Sequence, residues 1–186
     1  MTHKKTGLLF PEEEKSSSKH IPKKSRKNDA MVNALKTIHE AKDKLSRKKI
    51  IAEIANAGAP WACEVLILAL SDPSEDIRTS IITELARRED LDLSLLYQRL
   101  HKTPWYVKTG CLRILGLKKN TSSVKYLESV ADDPNIEVRR TLAIVLGEIG
   151  GTKALALLTK LSEDASSFVR APALQAIQDN SEVKFS

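Results

Sequence analysis

The sequence predicts an all-α protein, a solenoid of about five two-helix units with a period of about 31 residues, behind a basic N-terminal tail. Three observations predict it: a turn that recurs at fixed spacing, apolar residues at helical intervals on both sides of each turn, and a composition poor in sheet formers. Aromatic residues make up 4% of the chain, and Leu, Ile, Val and Ala carry nearly all the apolar weight. Seven glycines and seven prolines are too few for a turn-rich β architecture.

The repeat is visible by eye, and such self-similarity decides the fold before any single motif does. Ser71-Asp72-Pro73-Ser74-Glu75-Asp76-Ile77-Arg78 matches Asp132-Asp133-Pro134-Asn135-Ile136-Glu137-Val138-Arg139. Lys102-Thr103-Pro104-Trp105-Tyr106-Val107-Lys108 and Glu163-Asp164-Ala165-Ser166-Ser167-Phe168-Val169-Arg170 are two further copies. The hydrophobic-basic pairs start at 77, 107, 138 and 169, so successive spacings are 30, 31 and 31. One step back from Arg78 reaches Arg47, where Ile50-Ile51-Ala52-Glu53-Ile54-Ala55 mirrors Ile81-Ile82-Thr83-Glu84-Leu85-Ala86.

Each unit reads as helix, turn, helix. First helices show apolar residues at helical spacing, as in Val124, Leu127 and Val130, or Leu155, Leu158 and Leu161. Proline then ends the first helix, because it cannot continue the hydrogen-bond ladder. In the unit starting near 124, Gly150-Gly151 supplies the backbone freedom that ends the second helix.

Residues 1–28 form the tail and residues 29–186 the solenoid. Of the formal net charge of +6, residues 1–30 carry +4 and the remainder +2. The tail lacks periodicity and holds Ser16-Ser17-Ser18, two prolines and a lysine-rich run, so the sequence predicts disorder there. Two pieces stand out as candidate contacts. Lys19, Lys23, Lys24, Arg26 and Lys27 form a basic block suited to phosphates. Leu8, Leu9 and Phe10, followed by Glu12-Glu13-Glu14, have the pattern of a short docking motif.

Chemistry-bearing constellations are sparse. His3, His20, His39 and His101 show no metal-ligand spacing, and no Cys-x-x-Cys, P-loop or Gly-x-Ser-x-Gly occurs. Cys63 and Cys111 each sit in an apolar helical pattern and read as buried thiols of a reducing compartment. The longest apolar run, Val65–Leu70, is too short to span a bilayer, and Leu8–Phe10 is too short for a signal-peptide core. These readings place the protein in the cytosol and imply no catalytic residues, metal, cofactor or small-molecule substrate.

Asp133-Pro134-x-x-x-Val138-Arg139-x-x-Leu142-Ala143-x-x-Leu146-Gly147-x-Ile149-Gly150 resembles a HEAT repeat, of the short bacterial and archaeal kind also found in phycobilin-lyase-like proteins. The resemblance implies a right-handed α-solenoid and, as a superfold with many roles, leaves function open. It also implies a stacked ladder in which Asp72, Asp133 and Asp164 bridge to Arg78, Arg139 and Arg170 of neighbouring repeats, interrupted where Thr103 and Lys108 stand instead. Bilin lyases and alkylpurine DNA glycosylases are the HEAT-like enzymes to weigh. The first match is to the repeat alone, and the second needs an aromatic cleft for which Trp61, Trp105 and Tyr106 are the suggestive residues.

In such stacks the second helices line the concave face. Counted along the repeat, their outward positions hold Lys48, Lys49, Arg87, Arg113 and Arg140, against one acid, Glu148, in the first four units. Small and hydroxyl residues such as Ala52, Thr79, Ser80 and Thr83 separate them. Trp105 and Tyr106 stand where sister units carry Glu75-Asp76 and Ile136-Glu137; they read as an aromatic anchor or as packing against the neighbouring turn. The last unit, with Asp179 and Glu182, is expected to act as a polar cap. The predicted function is a non-catalytic adaptor that binds a protein or peptide on the concave face, with the tail as a second contact. The alternative is nucleic-acid or ribonucleoprotein binding through the tail and the Lys/Arg strip. No membrane association is expected.

Overall fold

The computed structural model of the chain describes residues 23–182, with side chains described for 27–181. The described residues are all helix and connection, without strands. The units pair α1 (Lys23–Glu40) with α2 (Lys44–Asn56), and α3 (Ala62–Leu68) with α4 (Glu75–Arg87). They continue with α5 (Ser94–Arg99) and α6 (Trp105–Leu117), α7 (Val124–Leu127) and α8 (Ile136–Ile149), and α9 (Thr152–Leu161) and α10 (Ser167–Glu182). The fold is an α-solenoid of five helix pairs.

The short first helices α3 and α7 run on into 3-10 turns, Ala69–Ser71 and Glu128–Val130. One continuous apolar core runs through all five units, because each pair buries its stripe against the next rather than around a centre. The first member of each hydrophobic-basic pair, Ile77, Val107, Val138 and Val169, is buried in that core. At the end of α8, Gly150 and Gly151 adopt φ of 68° and 88°, positive angles that a side chain would strain.

Helix α1 begins at Lys23, inside the segment that the sequence assigned to the tail. No proline or glycine occurs between 23 and 40, and Lys and Arg are good helix formers, so the basic run extends the helix once α2 and α3 offer it a surface. Lys27 accordingly is not a free tail contact: its Nζ donates to Glu64 Oε1 on α3 at 2.7 Å. Lys23, Lys24 and Arg26 lie in α1, while Lys19, Leu8, Leu9 and Phe10 lie outside the described residues.

The turn aspartates do two jobs. Asp72 Oδ1, Asp133 Oδ1 and Asp164 Oδ1 each accept the backbone N–H two residues on (2.8, 2.9 and 2.8 Å), which shapes the entry into the second helix. Each carboxylate also receives a cation from the preceding unit. Arg47 Nε donates to Asp72 at 2.7 Å, Lys108 Nζ to Asp133 at 2.6 Å, and Arg139 Nε to Asp164 at 2.7 Å. Arg78, Arg139 and Arg170 meanwhile donate through Nη1 to the carbonyls of Asp72, Asp133 and Asp164 in their own turns (2.8, 2.7 and 2.8 Å).

The ladder is therefore broken at one rung, not two. Lys108 substitutes for arginine and keeps its rung, because a single ammonium reaches the carboxylate that a guanidinium grips twice. Thr103 has no carboxylate to offer, and its hydroxyl donates to the Arg99 carbonyl instead. Facing that gap, Arg78 rests over the Tyr106 ring, 6.0 Å from its centroid. Tyr106 thus fills the missing rung, and the packing reading holds for it. Replacing Thr103 with Asp is expected to pull Arg78 off the ring into an ion pair. We expect a net gain of up to about 1 kcal/mol, read as a raised midpoint in urea unfolding, since the cation–π contact it replaces is worth about 0.5–1 kcal/mol.

Candidate binding face

The second helices α2, α4, α6, α8 and α10 touch in sequence and, from α4 onward, pack far more extensively on one another than first helices do. The second helices thus form one continuous row along the stack, the row that the sequence assigns to the concave face. Side-chain ties at the C-terminal ends of this row hold neighbouring units together. Arg88 Nη1 donates to the Ala55 carbonyl at 2.9 Å, and Lys118 Nζ to the Arg88 carbonyl at 2.7 Å. These ties join the ends of adjacent second helices, and the repeat pattern had not drawn attention to them.

Lys48, Lys49, Arg87 and Arg113 are exposed on this row, as the repeat spacing predicts. Arg87 leans on Glu84 at 3.3 Å and keeps most of its side chain in solvent. Among the described residues, Lys48, Lys49 and Arg113 make no ion pair. Arg140 is half-buried and paired with Glu137 at 3.3 Å, so it is less available than its position suggested. Gly110, counted as outward, is buried: a Cβ there would sit 3.2 Å from a Leu70 methyl.

Between α2 and α4 the face opens into a cleft of about 200 Å³. Ile51, Ala52, Ala55, Leu66, Ile77 and Ile81 supply its apolar walls, and Lys48, Ser80, Glu84, Arg87 and Asn56 its polar rim. Here α2 packs less closely on α4 than the later second helices pack on each other, and the small Ala52, Ala55 and Ser80 leave the space unfilled. At the N-terminal ends of α2 and α4, Lys44 Nζ pairs with Asp76, and this contact, helped by Lys48, holds the Asp76 carboxyl below its ordinary value. The rim thus carries Lys48 and Arg87 against one acid, Glu84, beside an apolar trough.

The opposite end of the row differs. A groove of about 350 Å³ between α8 and α10 is lined by Ile144, Gly147, Glu148, Pro172, Gln175, Ala176, Asp179 and Asn180. Its charges are acidic; Ile144 is an exposed apolar residue within it, and Leu117 on α6 is another between the two ends. The face is therefore polarised along the solenoid, basic at α2–α4 and acidic at α8–α10. On α10, Asp179 is exposed as expected of a cap, yet Phe168 and Leu174 are exposed too.

Trp105 meets Tyr106 edge-on, with ring centroids 5.8 Å apart, and remains 47% exposed. It lies at the start of α6 beside the ladder gap, away from the cleft. Cys63 and Cys111 are buried free thiols. Burial pushes the Cys111 thiol up to about 12 and raises that of Cys63, so neither is poised as a nucleophile. No group of three or more metal-ligating side chains occurs among the described residues, and no described helix is long and apolar enough to cross a membrane.

Residues 93–178 match the HEAT repeats family. No curated protein matches the chain. Among solved structures, human deoxyhypusine hydroxylase in complex with glycerol is similar at 17% identity and a TM-score of 0.48, over 84% of this chain and 65% of that one. The chain thus spans 65% of the length of that structure.

Proposed function

We propose, on the premise that this is a HEAT-repeat protein, that it is a non-catalytic scaffold whose inner face binds an acidic, amphipathic segment of a partner protein. The observation that carries the proposal is the α2–α4 cleft, an apolar trough rimmed by Lys48 and Arg87 with Lys49 close by. Apolar walls take aliphatic side chains, and the cations set orientation and hasten encounter with an acidic partner. Exposed Leu117 and Ile144 extend the apolar track along the row. The two buried free cysteines fit a reducing compartment such as the cytosol.

A nucleic-acid partner is the second reading, favoured by Lys48, Lys49 and Arg113, which make no ion pair among the described residues, and by the basic run Lys19–Arg26. The apolar cleft weighs against it, since a phosphate backbone gains nothing from apolar walls. Fluorescence anisotropy separates the two. The probes are a labelled peptide of alternating Leu/Phe and Glu, and a labelled mixed-sequence oligonucleotide, single- and double-stranded. We expect the peptide to bind and to lose about tenfold in affinity for each of Lys48→Glu and Arg87→Glu, the scale of one well-placed charge contact. Oligonucleotide binding that is tighter than the peptide's and falls linearly in log[salt] overturns the protein-partner reading.

A further inference from the structure

The α2–α4 cleft combines an apolar trough with cations on its rim, so it suits a segment that carries bulky apolar side chains within a few residues of carboxylates. One segment of this chain has that composition, Leu8-Leu9-Phe10-Pro11-Glu12-Glu13-Glu14. It lies outside the described residues, and where the described chain starts determines whether it can reach. Helices α1 and α2 form a hairpin joined at Ala41–Asp43, which sets the start of α1 beside the end of α2. The contact between Lys27 and Glu64 at the start of α3 fixes the same placement. Asn56 and Arg87, at the C-terminal ends of α2 and α4, close that same end of the cleft.

Length is not limiting. The twelve residues between Phe10 and Lys23 span up to about 40 Å when extended, against about 20 Å for the whole of α2. Charge is complementary at Lys48, which has no ion-pair partner among the described residues, and at Arg87, which a tail carboxylate would share with Glu84 of the same rim. A tether this short also holds the segment at an effective concentration of order millimolar, so even weak docking would be populated.

We propose that Leu8–Glu14 docks in cis into the α2–α4 cleft, with Leu9 and Phe10 in the trough and Glu12–Glu14 toward Lys48 and Arg87. The segment then competes with any partner for the basic end of the face and makes binding autoinhibited. This rests on the reading of that face as a site for acidic, amphipathic segments.

Paramagnetic relaxation in the full-length, ¹⁵N-labelled protein tests the docking. A nitroxide is attached at Thr6→Cys, while Cys63 and Cys111 are buried. Strong broadening of the Ile51, Ala52, Ala55, Ser80 and Ile81 amides is expected, abolished by Leu9→Asp with Phe10→Asp, a variant whose unchanged urea midpoint checks that the fold is kept. Broadening spread evenly or centred on another face overturns the proposal. So does broadening that appears equally when nitroxide and ¹⁵N reside on different molecules, which assigns the occupant to a second copy. The Leu/Phe–Glu probe peptide gives the second readout: its affinity should rise about tenfold in the Leu9→Asp, Phe10→Asp variant, as a tethered competitor is removed. Unchanged peptide affinity overturns autoinhibition while leaving the binding face intact. A peptide that binds neither protein sinks the face reading, and the relaxation pattern then still decides whether the tail docks.

Discussion

Truncation of Leu142 to alanine is expected to remove about 3–4 kcal/mol of folding stability, within the roughly 2.7–5 kcal/mol that buried Leu-to-Ala changes cost when neighbours cannot close the cavity. Leu142 lies on the buried side of α8 and is 0% exposed. Helix α8 is gripped from both sides, by α6 before it and by α10 after it, with α9 across the pair. In a solenoid each unit is stabilised only by its own pair and its two neighbours, so a cavity in α8 weakens two interfaces at once. Collapse of α6 or α10 into the space is hindered by close approach on this row. A Cβ on Gly147 would already stand 2.8 Å from the Ala176 Cβ, so α8 and α10 have no slack. Urea unfolding followed by circular dichroism checks the value. A loss below about 1 kcal/mol would mean that the repeats slide to fill the cavity, and that the inner row is softer than its packing implies.

The fold was legible because a period does what no single residue can. Once Ile77-Arg78, Val107-Lys108, Val138-Arg139 and Val169-Arg170 are aligned, every other position inherits a burial from its sisters. That is why Lys48, Arg87 and Arg113 were placed correctly on the exposed side of their helices. The same rule fails where a unit departs from its sisters. Gly110 is sunk against Leu70 because it has no side chain to hold the helices apart, and Arg140 folds onto its own helix because Glu137 lies one turn away. Position in the repeat also says nothing about the gap between repeats. The α2–α4 cleft exists because Ala52, Ala55 and Ser80 coincide across two helices, a property of the pair and not of either sequence. Lys27 was misread for a related reason: a basic run looks like tail until Glu64, 37 residues on, is brought beside it.

Asp164→Ala is expected to cost about 3 kcal/mol at pH 7, because it strands two kinds of donor in one step. Its carboxylate accepts Arg139 Nε at 2.7 Å, Arg139 Nη2 at 3.1 Å and the Ser166 N–H at 2.8 Å. The pair is well shielded, with 15% of the Arg139 side chain and 8% of the Asp164 side chain exposed, so water replaces these bonds poorly. A charged hydrogen bond contributes about 1.5–3 kcal/mol, and a partly buried guanidinium left without its anion adds to the loss. Asp164→Asn should retain the Ser166 acceptor and lose only part of this, which separates the turn from the ion pair. The pH dependence carries a definite sign. Arg139 holds the Asp164 carboxyl below its ordinary value, so the native state binds its proton less readily than the unfolded chain. The stabilisation is then complete above the ordinary carboxylate pKa of about 4 and is lost as pH falls through that value toward the depressed native one. Wild type and Asp164→Ala should therefore differ most at neutral pH and converge below about pH 4. Urea midpoints at pH 7, 5 and 3.5 test this. A difference that stays constant across the three would show that Asp164 acts through the Ser166 turn alone, and that the Arg139 rung contributes no net stability.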